Sequence, residues 1–109
     1  MVVNRYDLFG YSRHHMIERH IRFEVPANGV SDFQRFFEDR YVPPMSQIDG
    51  FVSARLLRPS DRDGELLMVL QFRTAGASAD WRESAAHESL QPDLQSLHSG
   101  MHIQGYETL

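Results

Sequence analysis

In the stretch SADWRESAAHESLQPDLQSLHSG, Trp81, Ser84 and His87 recur at intervals of three residues. On a helix this spacing sets Ser84 and His87 side by side on one flank, with Trp81 starting the same turn. Histidine is the side chain that gains and loses a proton near neutral pH, and an indole is a broad apolar wall. Together they are the parts needed to take a proton from a bound aromatic hydroxyl. Trp81, Ser84 and His87 are therefore the candidate catalytic set, with His87 as the base. Tyr41 and Phe37 are candidates for the aromatic wall, and Arg22 or Arg55 for stabilising a developing oxyanion. Each has a plain structural alternative: Trp81 and the aromatics as core, His87 as a surface helix residue, the arginines as partners of Glu24 or of acidic groups across an interface.

The elements that must position these residues are legible around YVPPMSQIDGFVSARLLRPSDRDGELLMVLQF, residues 41–72. It reads as a helix end, a Pro-Pro stop, an Asp-Gly turn and two strands joined by a polar loop. Before it, HIRFEV alternates, with Ile21, Phe23 and Val25 on one face and His20, Arg22 and Glu24 on the other. Ser31, with Gln34 three residues on, predicts a capped helix start, and Phe33, Phe36, Phe37 and Tyr41 form its apolar stripe. Val52, Ala54 and Leu56 are expected on one face of the second strand, opposite Phe51, Ser53, Arg55 and Leu57. After the third strand comes a helix interrupted at Pro92, a left-handed cap at Gly100 and a final strand, MHIQGYETL. The order is β-α-β-β-α-β, a ferredoxin-like α+β fold with a four-stranded antiparallel sheet.

In the third strand Leu66, Met68, Leu70 and Phe72 share one face while Leu67 and Val69 are apolar on the other. Helices on one side only would leave that second surface wet, so the pattern predicts a homodimer packing sheet against sheet, with Leu67 or Val69 central.

A chain of 109 residues has room for one domain, and a net charge of −4 without a basic run argues against a nucleic-acid partner. There is no cysteine, hence no disulfide and no thiolate nucleophile or metal site. No apolar run reaches the ~20 residues of a membrane span, and the first twenty residues lack a signal-peptide core. A cytoplasmic location is the expectation. Residues 1–16 read as an N-terminal extension and 17–109 as the domain. His14 and His15 are adjacent in an extended segment and point opposite ways, so they read as part of a solvated arm and not as metal ligands.

The Pro-containing helix end, Asp49-Gly50-Phe51 opening a strand, and Trp81-x-x-Ser84-x-x-His87 after the third strand resemble the antibiotic biosynthesis monooxygenase family of the dimeric α+β barrel superfamily. The resemblance covers about residues 17–109. It implies a homodimer with a pocket in each subunit between sheet and helices. It also implies oxidation of aromatic polyketides or quinols by dioxygen with no cofactor, neither metal nor flavin. An electron-rich phenol that loses a proton in an apolar pocket can pass an electron to dioxygen, so a base and an aromatic wall suffice. Heme-degrading relatives resemble Trp, Ser three later and an iron-ligating His nine or ten after the Trp, with an Asn on the first strand. Here those positions hold Leu90 and Gln91, and HIRFEV has no Asn.

Three classes follow from this pattern: a small-molecule oxygenase, a cyclase-like or noncatalytic ligand-binding dimer, and a purely structural module. An oxygenase requires His87 and Trp81 in one enclosed cavity, whereas a structural module would fill that space with side chains.

Overall fold

Alternation along IERHIRFEV makes the first strand, β1 (Ile17–Val25), which begins three residues before the His20 start expected from HIRFEV. The structure, a computed structural model, describes residues 16–109. The arm containing His14 and His15 lies outside the described residues. Met16 is buried, and its carbonyl accepts from the Thr108 N–H at 3.0 Å.

A short 3-10 turn, Ala27–Gly29, leads into helix α1, residues 30–45. Its N-cap is Gly29 with no side-chain cap, and Gln34 instead bonds Glu38 at 3.1 Å, so the Ser31 capping box does not form. The helix runs α-helical over Val30–Phe36, widens to a π-turn over Phe37–Tyr41, and closes over Val42–Met45. Pro43 and Pro44 are therefore not the stop they were expected to be. They sit in the first positions of that last turn, where a missing N–H costs little. The wide turn, with Val42 N–H bonded back to the Phe37 carbonyl, rotates Tyr41 into the core.

β2 (Phe51–Leu57) and β3 (Gly64–Phe72) follow. Gly50 has φ of +95°, which lets the turn close with its carbonyl accepting from Arg73 N–H at 2.7 Å. The β2–β3 register shifts between Phe51 and Ser53, leaving Val52 as an extra residue. The bulge changes the parity expected for β2: Phe51 joins Ala54 and Leu56 against the core, and Val52 is exposed.

α2 (Ala75–Arg82) is capped by Thr74, whose Oγ1 accepts from Ala77 N–H at 3.0 Å. α3 (Ala85–Gln95) contains Pro92. The interruption expected at Pro92 lies instead at Glu83 and Ser84, where the chain turns between the helices. β4 (Gly100–Glu107) completes the sheet, whose order is β2-β3-β1-β4 with all pairings antiparallel. Gly100 begins this strand without a positive φ, so it is no left-handed cap. A Cβ there would meet the carboxylate end of the Glu24 side chain, which is flexible and can move aside, so the position does not demand glycine.

The topology is ferredoxin-like. Ile21, Phe23, Val25, Leu66, Met68, Leu70 and Phe72 on one sheet face pack against Phe33, Phe36, Tyr41, Trp81 and Leu94 from the helices. No described helix covers the other face, which mixes Leu57, Leu67, Val69 and Tyr106 with His20, Arg22 and Arg55. Among the described residues no helix is long and apolar enough to cross a membrane.

Candidate functional site

The turn between α2 and α3 decides where the chemistry-bearing side chains go. Ser84 is its hinge: its Oγ accepts from the His87 N–H at 3.1 Å and donates to the Trp81 carbonyl at 2.7 Å. It is an N-cap that starts α3 and ends α2 in one residue. With both bonds made to backbone, Ser84 orients its two neighbours and is not placed to react.

That turn brings Trp81 and His87 edge to face, with ring centroids 5.2 Å apart. Tyr41, delivered by the wide turn of α1, meets Trp81 edge-on at 5.4 Å and His87 at 6.4 Å. These three rings wall a pocket of about 140 Å³ between the sheet and α3. Its floor is Ile21, Phe23, Leu70 and Leu94; Arg19, Arg82 and Gln91 supply the remaining polar groups. Met101 and Ile103 of edge strand β4 line one side while staying 51% and 41% exposed, so the pocket opens there.

The His87 imidazole has a partner on its own helix. Gln91, one turn on, places its Nε2 at 3.2 Å both from His87 Nε2 and from the His87 carbonyl. Gln91 Nε2 is an amide donor, so the ring nitrogen it meets accepts when His87 is in the tautomer protonated at Nδ1. Burial holds the His87 pKa below the usual histidine value, and the Arg19 and Arg82 guanidiniums push the same way, with the Arg82 backbone only partly opposing them. Burial also raises the Tyr41 phenol, against opposing effects of Trp81 and Arg19, so Tyr41 stays a neutral hydroxyl. Trp81, 1% exposed, keeps a buried Nε1 with no acceptor among the described residues.

Of the residues singled out from sequence, Trp81, His87 and Tyr41 converge on this pocket and Ser84 supports it. Phe37 stands behind it, its ring stacked on Tyr41 at 6.4 Å. Arg22 and Arg55 do not belong to the pocket. Arg22 lies opposite Leu67 and His102, and Arg55 opposite Val69, all on the helix-free face. Arg55 and Phe37 instead border a wider groove of about 540 Å³ along β2 with Gln34, Glu38 and Arg58. That groove is larger but is lined by no histidine, tryptophan or tyrosine.

The cationic group on the correct face is Arg19. It shares the parity of Ile21 and Phe23 and lies opposite Gly105. Starting the strand at Ile17 would have found it, and i, i+4 spacing from His87 would have found Gln91.

A family model described as antibiotic biosynthesis monooxygenase matches residues 16–93. No curated protein matches the chain significantly. Among solved structures, a conserved protein from Methanosarcina mazei Go1 superposes with a TM-score of 0.78 at 13% identity, over 89% of this chain and 96% of that one. SnoaB, a cofactor-independent oxygenase from Streptomyces nogalater, gives 0.76 at 17% identity, over 86% and 93%. Rv0793 from Mycobacterium tuberculosis gives 0.72 at 19%, over 86% and 95%. At these identities the likeness is one of fold.

Proposed function

Since the chain belongs to the antibiotic biosynthesis monooxygenase family, we propose that its pocket binds a small electron-rich phenol or quinol and oxidises it with dioxygen, using no metal or flavin. The observation that carries this reading is a neutral, partly buried imidazole at the edge of an apolar pocket walled by Trp81 and Tyr41. In this reading His87 takes the hydroxyl proton and Arg19 stabilises the phenolate, the role expected of Arg22 or Arg55. The phenolate passes one electron to dioxygen, the two radicals join at a ring carbon, and water leaves to give a quinone. One oxygen atom stays on the product. The other departs in water with two substrate hydrogens, one from the hydroxyl and one from the ring carbon.

The Gln91 amide on His87 Nε2 supports a second reading, a cyclase-like or noncatalytic binding dimer, because a base must first be released from that contact. A pocket of about 140 Å³ is far below the ~300 Å³ at which drug-sized sites begin, which disfavours heme and fused-ring polyketides. The helix-free face, with Leu57 opposite Leu67, is the surface on which a homodimer would form. A cytoplasmic protein acting on a diffusible aromatic is consistent with this whole reading.

The test is oxygen uptake with hydroquinones under isotopically labelled dioxygen. One labelled atom in the product and a roughly hundredfold loss in His87→Ala is the expected result. Uptake that is absent, or indifferent to His87→Ala, would overturn the oxygenase and leave the binding dimer.

A further inference from the structure

The charge balance of the pocket is one-sided. Arg19 from β1 and Arg82 from α2 both line it, and no aspartate or glutamate does. Neither guanidinium forms an ion pair with a carboxylate among the described residues. Burial penalises the charge on Arg19, and the nearby Arg82 adds to that penalty. Guanidiniums do not deprotonate in proteins, so the positive potential persists, and a bound anion would offset it.

A phenolate formed by His87 does not balance this set. Each phenol proton that reaches His87 converts it to an imidazolium beside two arginines, so one negative charge appears on the ligand while one positive charge appears on the protein. The pocket stays as cationic as before. A ligand that arrives with a fixed negative charge offsets the arginines before any proton moves. Volume narrows the class further, since a dry cavity of about 150 Å³ holds one benzene-sized ring, and this one measures about 140 Å³.

We propose that the natural ligand is a single-ring hydroxyaromatic carboxylate, its ring against Trp81 and Tyr41, its hydroxyl toward His87, and its carboxylate held by Arg19 and Arg82. This rests on the phenol-oxidising reading for the hydroxyl, but the carboxylate assignment stands on binding alone. Carboxylate and guanidinium form paired, charge-assisted hydrogen bonds, which an amide of the same shape cannot match.

The probes are 2,5-dihydroxybenzoate and its neutral isostere 2,5-dihydroxybenzamide, titrated calorimetrically into the whole chain under nitrogen. The benzoate is expected to bind at least tenfold more tightly, with the preference shrinking as salt rises. Arg19→Met should bring the ratio near one, chiefly through weaker benzoate binding, and Arg82→Gln should lower it in part. Arg82 is exposed, so if Arg19→Met does not fold, Arg82→Gln together with the salt titration decides. Equal affinities, a ratio unchanged by these substitutions, or no binding of either probe at millimolar concentration would overturn the proposal. Oxygen uptake is read separately: a benzoate preference without His87-dependent uptake ends the oxygenase reading and keeps this one, and uptake with hydroquinone but no benzoate preference does the reverse.

Discussion

The side-chain amide of Gln91 rests 3.2 Å from Nε2 of His87, one helical turn away, so the one histidine facing the pocket already holds a partner where a substrate hydroxyl would approach. Where the amide donates, the contact favours the tautomer with its lone pair on Nε2 and engages that lone pair. It also sets a threshold, because a phenol must displace the amide or use it as part of its own binding. Gln91 lines the pocket, so the second course is open to it.

Gln91→Leu keeps the helix and the side-chain volume but frees Nε2. If Gln91 only masks the base, the variant should turn over a quinol faster at low substrate concentration, with KM lowered several-fold. If Gln91 orients the imidazole, kcat should fall roughly tenfold or more. Steady-state kinetics of the two proteins distinguishes these outcomes, and an unchanged kcat and KM would remove Gln91 from the site.

The depressed pKa of His87 has consequences at acid pH. In the unfolded chain a histidine titrates near ~6.5, and in the folded protein burial, Arg19 and Arg82 hold His87 lower. Between those two values the unfolded chain binds the extra proton, so the stability contributed by neutral His87 is complete above the unfolded value and is lost as pH falls toward the folded one. Activity should follow the folded value, with an acid limb below ~6.5. Arg19→Gln removes one of the charges that depress it and should move that limb upward. A pH–rate profile in which the limb stays fixed would show that Arg19 takes no part in setting it, leaving burial and Arg82.

Ser84 offers a test of position against chemistry. Its hydroxyl is committed to the His87 N–H and the Trp81 carbonyl. Ser84→Ala should cost about 1 kcal/mol as a lost N-cap and reduce turnover only as far as the turn loosens. Ser84→Asp, which can still cap, should recover most of the melting temperature. A loss of activity as deep as that of His87→Ala, at unchanged stability, would instead make Ser84 a participant.

What could be read before the structure was what short-range periodicity carries. Ile21, Phe23 and Val25 alternate, Phe33, Phe36 and Phe37 keep helical spacing, and the order of elements follows from them; Trp81 and His87 do meet, but across the turn at Glu83 and Ser84 and not along one helix. The errors fall where a local rule met a tertiary one. Pro43, Pro44 and Pro92 look like breakers, yet two sit where a helical turn starts and the third is carried within α3 by packing of Leu90 and Leu94. The bulge at Val52 inverts the face of everything before it in β2, and no residue type announces it. Arg22 and Arg55 were plausible cations on the wrong face of the sheet. Arg19 was hidden because the strand was started at its first clean alternation, three residues late.

Gly50 tests the turn that sets β2 beside the helices. At φ of +95° any side chain is strained, and a Cβ would stand 2.7 Å from the Ala77 Cβ. Gly50→Ala should therefore cost on the order of 2 kcal/mol, seen as a drop of roughly 10 °C in melting temperature. Since Ala77 lies in the first turn of the helix that carries Trp81, pocket affinity should fall with it. A variant melting within a degree or two of the parent would show that the turn relaxes freely.

The helix-free sheet face decides assembly. Val69 is only 4% exposed within the single chain, because His20 and Arg55 flank it in the neighbouring strands. Val69→Asp would thus damage the fold as well as any interface, and it is a poor probe of pairing. Leu67 is the better one: it is half-buried, lies opposite Leu57 on one side and Arg22 on the other, and has no helix above it among the described residues. In a two-fold dimer Leu67→Lys would place two new charges near the centre of the contact and beside two copies of Arg22. The wild-type chain is expected to scatter light as a dimer at micromolar concentration, and Leu67→Lys as a folded monomer with the far-ultraviolet circular dichroism of its parent. A wild-type monomer under those conditions, or a variant that stays dimeric, would show that this face is not where two copies meet.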